Sequence, residues 1–283
     1  MRKAILFFSC WLFVLANPSF SITFRPTPPP ISCLNFFKDV NQWTVTGMYF
    51  KMGELESETS ESPTAYGIMA DASVGVKDGE GSIVSAHYTA FNWPTGETNL
   101  TGNFYGAGLI FVSDLVLGEK KDIAGEIIEK ETTVAGFYGV SLDRFEMDMG
   151  KMFGELLGTN EFKFSKTDLG LPVGIAADIP LGFYASIVPF GRYVWRWSWM
   201  KTPTLGFESV SKDTTTKESY GSIDYGADID LRLFRNAPEW KISIGTVLSQ
   251  AEGLKNGNLL IMISLKREIG KHYSSTLIGP KLH

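Results

Sequence analysis

The sequence predicts an all-β protein: a single antiparallel, up-and-down β-barrel of about ten strands, with roughly eight to twelve as the range. Three observations carry this. From Trp43 onward, segment after segment alternates apolar and polar side chains with period two, which places one set on each face of a strand. Short turns and longer connections also follow one another along the chain. Finally, charged residues gather on one strand face while aromatic and aliphatic residues take the other.

The chain opens on an export signal. Arg2 and Lys3 precede an apolar run from Ala4 to Ala16 broken only by Ser9, and Asn17, Pro18, Ser19 and Ser21 follow. Charged, apolar and small-residue regions in that order form a secretory signal peptide. The run is too short for a spanning helix, which needs about 20 residues. Cleavage is expected after Ser21, with Ala16 as the alternative. Residues 1–21 then read as the signal, 22–42 as a Pro-rich linker around Arg25-Pro-Thr-Pro-Pro-Pro30, 43–273 as the barrel and 274–283 as a tail.

Charge and cysteine content narrow the classes. There are 26 basic and 31 acidic side chains, net −5, and losing Arg2 and Lys3 takes the mature chain to about −7. That balance excludes a nucleic-acid partner, which wants a basic face. Cys10 lies in the signal, so Cys33 is a lone thiol and no disulfide framework exists. Neither cysteine has a lipidation context: apolar sequence continues past Cys10, and Pro30 stands where a lipobox has Leu. No stretch after the signal approaches 18 continuous apolar residues, as a helical span would require.

The clearest strand is Tyr66 to Val76, with Tyr66, Ile68, Ala70, Ala72, Val74 and Val76 on one face and Gly67, Asp71, Ser73 and Gly75 on the other. Lys77-Asp-Gly-Glu-Gly81 turns it into Ser82–Asn92, where Val84, Ala86, Tyr88 and Ala90 oppose Ser85, His87 and Thr89. Val173–Ile179 and Phe183–Trp199 form a second hairpin through Pro180-Leu-Gly182. Tyr220–Leu233 sets Ile223, Tyr225, Ala227, Ile229, Leu231 and Leu233 against Ser222, Asp224, Asp228, Asp230 and Arg232. Trp43–Met52, Thr101–Ser113, Thr133–Asp143, Glu239–Leu248 and Asn258–Arg267 complete the set. A short helix is expected within Asp122–Ile128, and a loop with a helical turn over Phe145–Leu157, where Met149, Met152, Phe153 and Leu156 recur at helical spacing.

Connections 53–64, 93–100, 144–172 and 200–218 read as long, and 77–81, 180–182 and 234–238 as short; 114–132 breaks the alternation. Short turns at one end and long loops at the other mark a transmembrane barrel. With the N-terminus inside, the long set faces outward. Tyr193, Trp195, Trp197 and Trp199 share a face and suit an interfacial aromatic girdle. Arg192, Arg196, Asp224, Asp228, Asp230 and Arg232 are then expected to line the lumen. In a narrow barrel they would cross-pair and hold it shut, because unpaired buried charge is costly.

Tyr66–Val76, Phe183–Trp199 and Tyr220–Leu233 resemble the strands of porin and OmpA-like outer-membrane barrels, a likeness of pattern over nearly the whole mature chain. It implies residence in a bacterial outer membrane, contact with its lipid, insertion by the barrel-assembly machinery, and room for an extracellular partner on the long loops. One departure is the C-terminus: such barrels end in an aromatic residue, whereas here Tyr273 is followed by ten residues.

The implied role is structural, adhesive or that of a small-solute pore, with no catalytic residue, metal or cofactor assigned. Glu54, Glu56, Glu58 and Glu61 read as a solvated loop. His272 and Ser274 share a strand face and resemble the His-x-Ser pair of outer-membrane lipid A deacylases, which makes a lipid-modifying hydrolase one alternative. The other is a soluble, exported lipocalin-like barrel binding an apolar ligand. It would turn the wall inside out, with the charged faces toward solvent.

Overall fold

The computed structural model describes residues 40–53, 63–77, 80–95, 98–116, 119–121, 127–130, 132–148, 163–181, 184–205, 210–233, 239–251 and 256–270. The signal, linker, Cys33, the Glu54–Glu61 loop, His272, Tyr273 and Ser274 lie outside these residues.

The strands are β1 (Val40–Lys51), β2 (Thr64–Lys77), β3 (Glu80–Thr95), β4 (Thr98–Val116), β5 (Glu119–Lys121), β6 (Ile127–Lys130), β7 (Thr133–Asp148), β8 (Lys163–Pro180), β9 (Ala185–Leu205), β10 (Val210–Arg232), β11 (Trp240–Ala251) and β12 (Asn258–Gly270). Ten of them close into one barrel in the order β1-β12-β11-β10-β9-β8-β7-β4-β3-β2, every neighbour antiparallel. β5 and β6 form a separate two-stranded hairpin. Each segment expected as a strand is one.

The register fixes the geometry of the wall. Crossing strand to strand from Thr46 through Met69, His87, Gly106, Asp143, Asp168 and Ser198 reaches Glu218 on β10. Crossing the other way, through Ser264 and Ser243, reaches Asp230 on that same strand. The two arrivals differ by twelve residues, which is the shear of the closed sheet. With ordinary strand rise and spacing, that shear tilts the strands by about 40° and lifts each residue about 2.5 Å along the axis.

The strand ends align at the bottom and form a slope at the top. By the same rise, β9 and β10 stand roughly 25 Å above the rims of β1, β2, β11 and β12. The expected long connections therefore shrink. Thr95 pairs with Thr98, so the described residues of 93–100 are strand rather than loop. Residues 163–172 belong to β8, and 200–218 is mostly hairpin, with Val210 paired to Leu205. The polar composition of 201–219 suggested a loop; the described residues there instead extend β9 and β10 above the apolar band, where Lys201, Thr215, Lys217 and Ser219 are exposed and β-branched Thr215 and Thr216 favour an extended backbone.

Two expectations of helical structure need correction. Ile127 and Ile128 are strand, in the β5–β6 hairpin, although 122–126 lie outside the described residues. Phe145 to Asp148 continue β7, so the alternation of Phe145 and Met147 outweighed the helical spacing; 149–162 are not described.

Candidate lumen network and outer wall

Parity decides which side chains enter the barrel. On β9 and β10 the even-numbered residues point inward, which buries Arg192, Arg196, Ser198, Tyr220, Ser222, Asp224, Asp228 and Asp230. Their odd-numbered neighbours are exposed, including Tyr193, Trp195, Trp197, Trp199, Ile223, Tyr225 and Ile229. Of the six residues expected in the lumen, five are buried inside it. Arg232 is half-buried at the lower end of β10.

The buried charges form three linked groups. On the first, Arg192 Nε donates to Asp224 Oδ2 over 2.7 Å. In the second, Asp168 accepts from Ser198 Oγ and, at 3.0 Å, from Tyr220 Oη. Lys166 Nζ donates to Tyr220 Oη at 3.2 Å and lies 3.2 Å from Glu218 Oε1. Arg196 Nη1 donates to Ser222 Oγ at 2.6 Å, with its guanidinium 5.8 Å from the Tyr220 ring centre. The third group is lower: Lys266 Nζ donates to Asp230 Oδ1 at 2.7 Å and stands 3.7 Å from Asp228, while Lys241 pairs with Glu268. Such partners offset part of the cost of taking charge out of water, although Arg196 Nε and Nη2, Asp224 Oδ1 and Asp228 Oδ1 are buried without a hydrogen bond.

Across the lumen, the inner faces of β1–β4, β7 and β12 are largely apolar in their upper half. Met48, Phe50, Phe91, Phe104, Phe145, Met147, Phe164, Leu260 and Met262 belong to one buried cluster. Ring centres lie 4.8 Å apart for Phe91–Phe145 and 6.0 Å for Phe145–Phe164. An open bore would leave its lining wet. Instead Asp224 is 0% exposed, Arg196 1% and Phe145 2%, so the lumen is filled at these levels. A cavity beside Ser85, His87, Ser141, Asp143 and Arg192 has room for about one water. His87 Nε2 there sits 3.6 Å from Asp143 Oδ1.

Much of this network was accessible to parity. Once Leu259, Ile261, Ile263 and Leu265 face out, Lys266 and Glu268 must face in, and Tyr220 follows from Ile223 and Tyr225. Lys166 and Asp168 could not be reached that way, because they were assigned to a connection. The apolar half was hidden for a different reason: β1 is apolar on both faces near its end, so Met48 and Phe50 do not contrast with Tyr49.

The outer wall is apolar through its middle, where Ile68, Val84, Leu142, Ile175, Ile244 and Ile263 are exposed. Tyr49, Tyr66, Tyr88, Tyr105 and Trp195 fall at about one height by the strand rise, with Tyr49 and Tyr66 ring centres 5.2 Å apart. Trp43 and Trp240 meet edge-to-face at 5.6 Å near the lower rim, with Arg267 over Trp240. The Tyr193–Trp199 series is a column climbing one strand, of which Trp195 falls at the height of that ring.

Together these features define a class: a closed antiparallel barrel of ten strands, apolar outside, charged and sealed within. No family model matches the chain, and no curated protein does. Among solved structures it is similar to the translocator domain of autotransporter NalP from Neisseria meningitidis, at 8% identity over 95% of this chain and 97% of that one, TM-score 0.44. It is also similar to Ail, the attachment invasion locus protein of Yersinia pestis, at 9% identity over 82% and 100%, TM-score 0.38. The N-terminal β-barrel domain of Pseudomonas aeruginosa OprF matches at 6% identity over 82% and 98%, TM-score 0.26.

Proposed function

We propose that this chain is an integral outer-membrane β-barrel protein whose lumen is sealed, acting through its rims and outer surface in a structural or adhesive role. The observation that carries this reading is the sorting of side chains across a closed wall. Aliphatic residues cover the outside of the barrel, and a buried charged network packed against a Phe/Met cluster fills the inside. In water that arrangement would expose a large contiguous apolar belt, which soluble proteins avoid. In a bilayer it is the stable one, since closure leaves no backbone edge unsatisfied in the hydrocarbon. The apolar band between Trp43 and Trp240 below and the tyrosine level above spans roughly 20–25 Å, the height expected of such a barrel.

The lipocalin-like alternative, and the small-solute pore included in the sequence-based expectation, fare less well. A lipocalin-like binder needs its apolar face inward, and Asp224, Arg196 and Lys266 occupy that face. A small-solute pore needs a wetted bore, and the buried Phe145, Met262 and Arg196 leave none at their levels.

The reading is tested by separating cell membranes and running the outer-membrane fraction on gels with and without boiling. Faster migration of unboiled protein from that fraction supports it. Recovery of the protein from the periplasm or medium, with no such shift, overturns it.

A further inference from the structure

β10 outruns one of its two neighbours. Its pairing with β9 runs from Val210 to Leu231, whereas its pairing with β11 begins only at Ser222, opposite Ala251. From Val210 to Gly221 the strand is therefore held on the β9 side, and among the described residues no strand pairs with its other edge. Alternate residues of an antiparallel strand turn both N–H and C=O to the same side, so this edge presents a row of backbone donors and acceptors. Those groups need water or a partner, which puts the edge outside the hydrocarbon.

Exposed edges are normally blunted by proline, bulges, short length or lysine. β3 follows that rule where it passes β2: the overhang is only Trp93 to Thr95 and contains Pro94. β10 departs from it. Its overhang has no proline, and its one register shift lies at the tip, between Val210 and Lys212. Pairing with β9 holds it extended, and β-branched Thr215 and Thr216 favour that conformation. Such an edge is a preformed template for one more strand.

The neighbouring side chains define which strand fits. Thr215, Lys217 and Ser219 are exposed, and Lys201 lies opposite Thr215 on β9. Among the described residues neither lysine pairs with a carboxylate. Glu218, on the opposite face of β10, is already matched by Lys166 at 3.2 Å. An added strand therefore meets uncompensated positive charge on its outer side. Lysine on an edge disfavours apolar strands and favours an acidic one, because opposite charges across a strand pair attract.

We propose that the free edge of β10 from Val210 to Gly221 docks an extended segment of another protein, added as a further strand with acidic side chains at alternate positions on its outer face. This narrows the adhesive role proposed above to one edge and one partner chemistry, and rests on that reading.

The test titrates the folded barrel in phosphatidylcholine nanodiscs with a short fluorescein-labelled peptide of alternating glutamate and threonine. Anisotropy reads binding, and mass spectrometry follows amide hydrogen exchange. The peptide is expected to bind and to slow exchange across residues 211–221. A fully N-methylated version keeps the charge and loses the backbone donors, and should bind about tenfold or more weakly. Alternating lysine and threonine should not bind. K201Q/K217Q should weaken binding of the acidic peptide by about fivefold. Absence of binding, equal binding of the N-methylated peptide, binding without added protection at 211–221, or a lysine variant that binds as wild type does overturns the proposal. The boiling-dependent gel shift is read on the same samples. Its presence with any of those results refutes this inference alone; its absence refutes the membrane reading and this inference with it.

Discussion

Arg192 on β9 and Asp224 on β10 are direct cross-strand partners, joined at 2.7 Å with both side chains buried inside the barrel. Removing one partner leaves the other buried without its counter-charge. Arg192→Ala or Asp224→Ala is expected to destabilise by about 3–5 kcal/mol, and the double variant by clearly less than the sum. Urea unfolding from lipid vesicles gives the coupling energy. Additive losses would mean the pair does not hold the wall.

Depth along one strand gives a second prediction. Ile175 and Ile179 both face outward on β8, Ile175 near the middle of the band and Ile179 near its lower edge. Ile175→Arg should cost about 2–4 kcal/mol, and Ile179→Arg no more than about 1 kcal/mol. The same vesicle unfolding measurement compares them, and equal costs would place the bilayer elsewhere.

Close strand approach makes a third. A Cβ on Gly106 would strike Asp143 Oδ1 and the Leu142 carbonyl, and one on Gly245 would strike the Asp228 carboxylate. Gly106→Val and Gly245→Val are therefore expected to reduce the yield of boiling-sensitive barrel, whereas Gly191→Val, with open space around its Cβ position, should not.

These cases also show what the sequence could and could not disclose. The barrel was legible because Tyr66–Val76 and Tyr220–Leu233 alternate cleanly between lipid-facing and lumen-facing sets, and the inward positions of Arg192, Arg196, Asp224, Asp228 and Asp230 followed from that. Lys166 and Asp168 were lost because β8 extends above the band, where both faces become polar and composition imitates a loop. The shear, and with it the sloping rim, depends on pairing between distant strands, which no local pattern records.

The seal supplies a fourth prediction. Purified wild type should show no steady single-channel conductance in planar bilayers. Phe91→Ser with Phe145→Ser removes two facing rings from the apolar half, and is expected to admit ions past the remaining network. Steady conductance of the wild type would contradict a filled lumen.

This wall faces hydrocarbon outside and a filled lumen inside, and two adjacent residues of β12 test that most directly. Ile263 is 61% exposed on the outer surface and Ser264 is 2% exposed in the lumen. In a Cys33→Ser background, cysteine at each position carries a small fluorophore in vesicles whose acyl chains are brominated. Strong quenching at 263 and little at 264 is the expected result. Quenching at 264, or none at either position, would contradict the account.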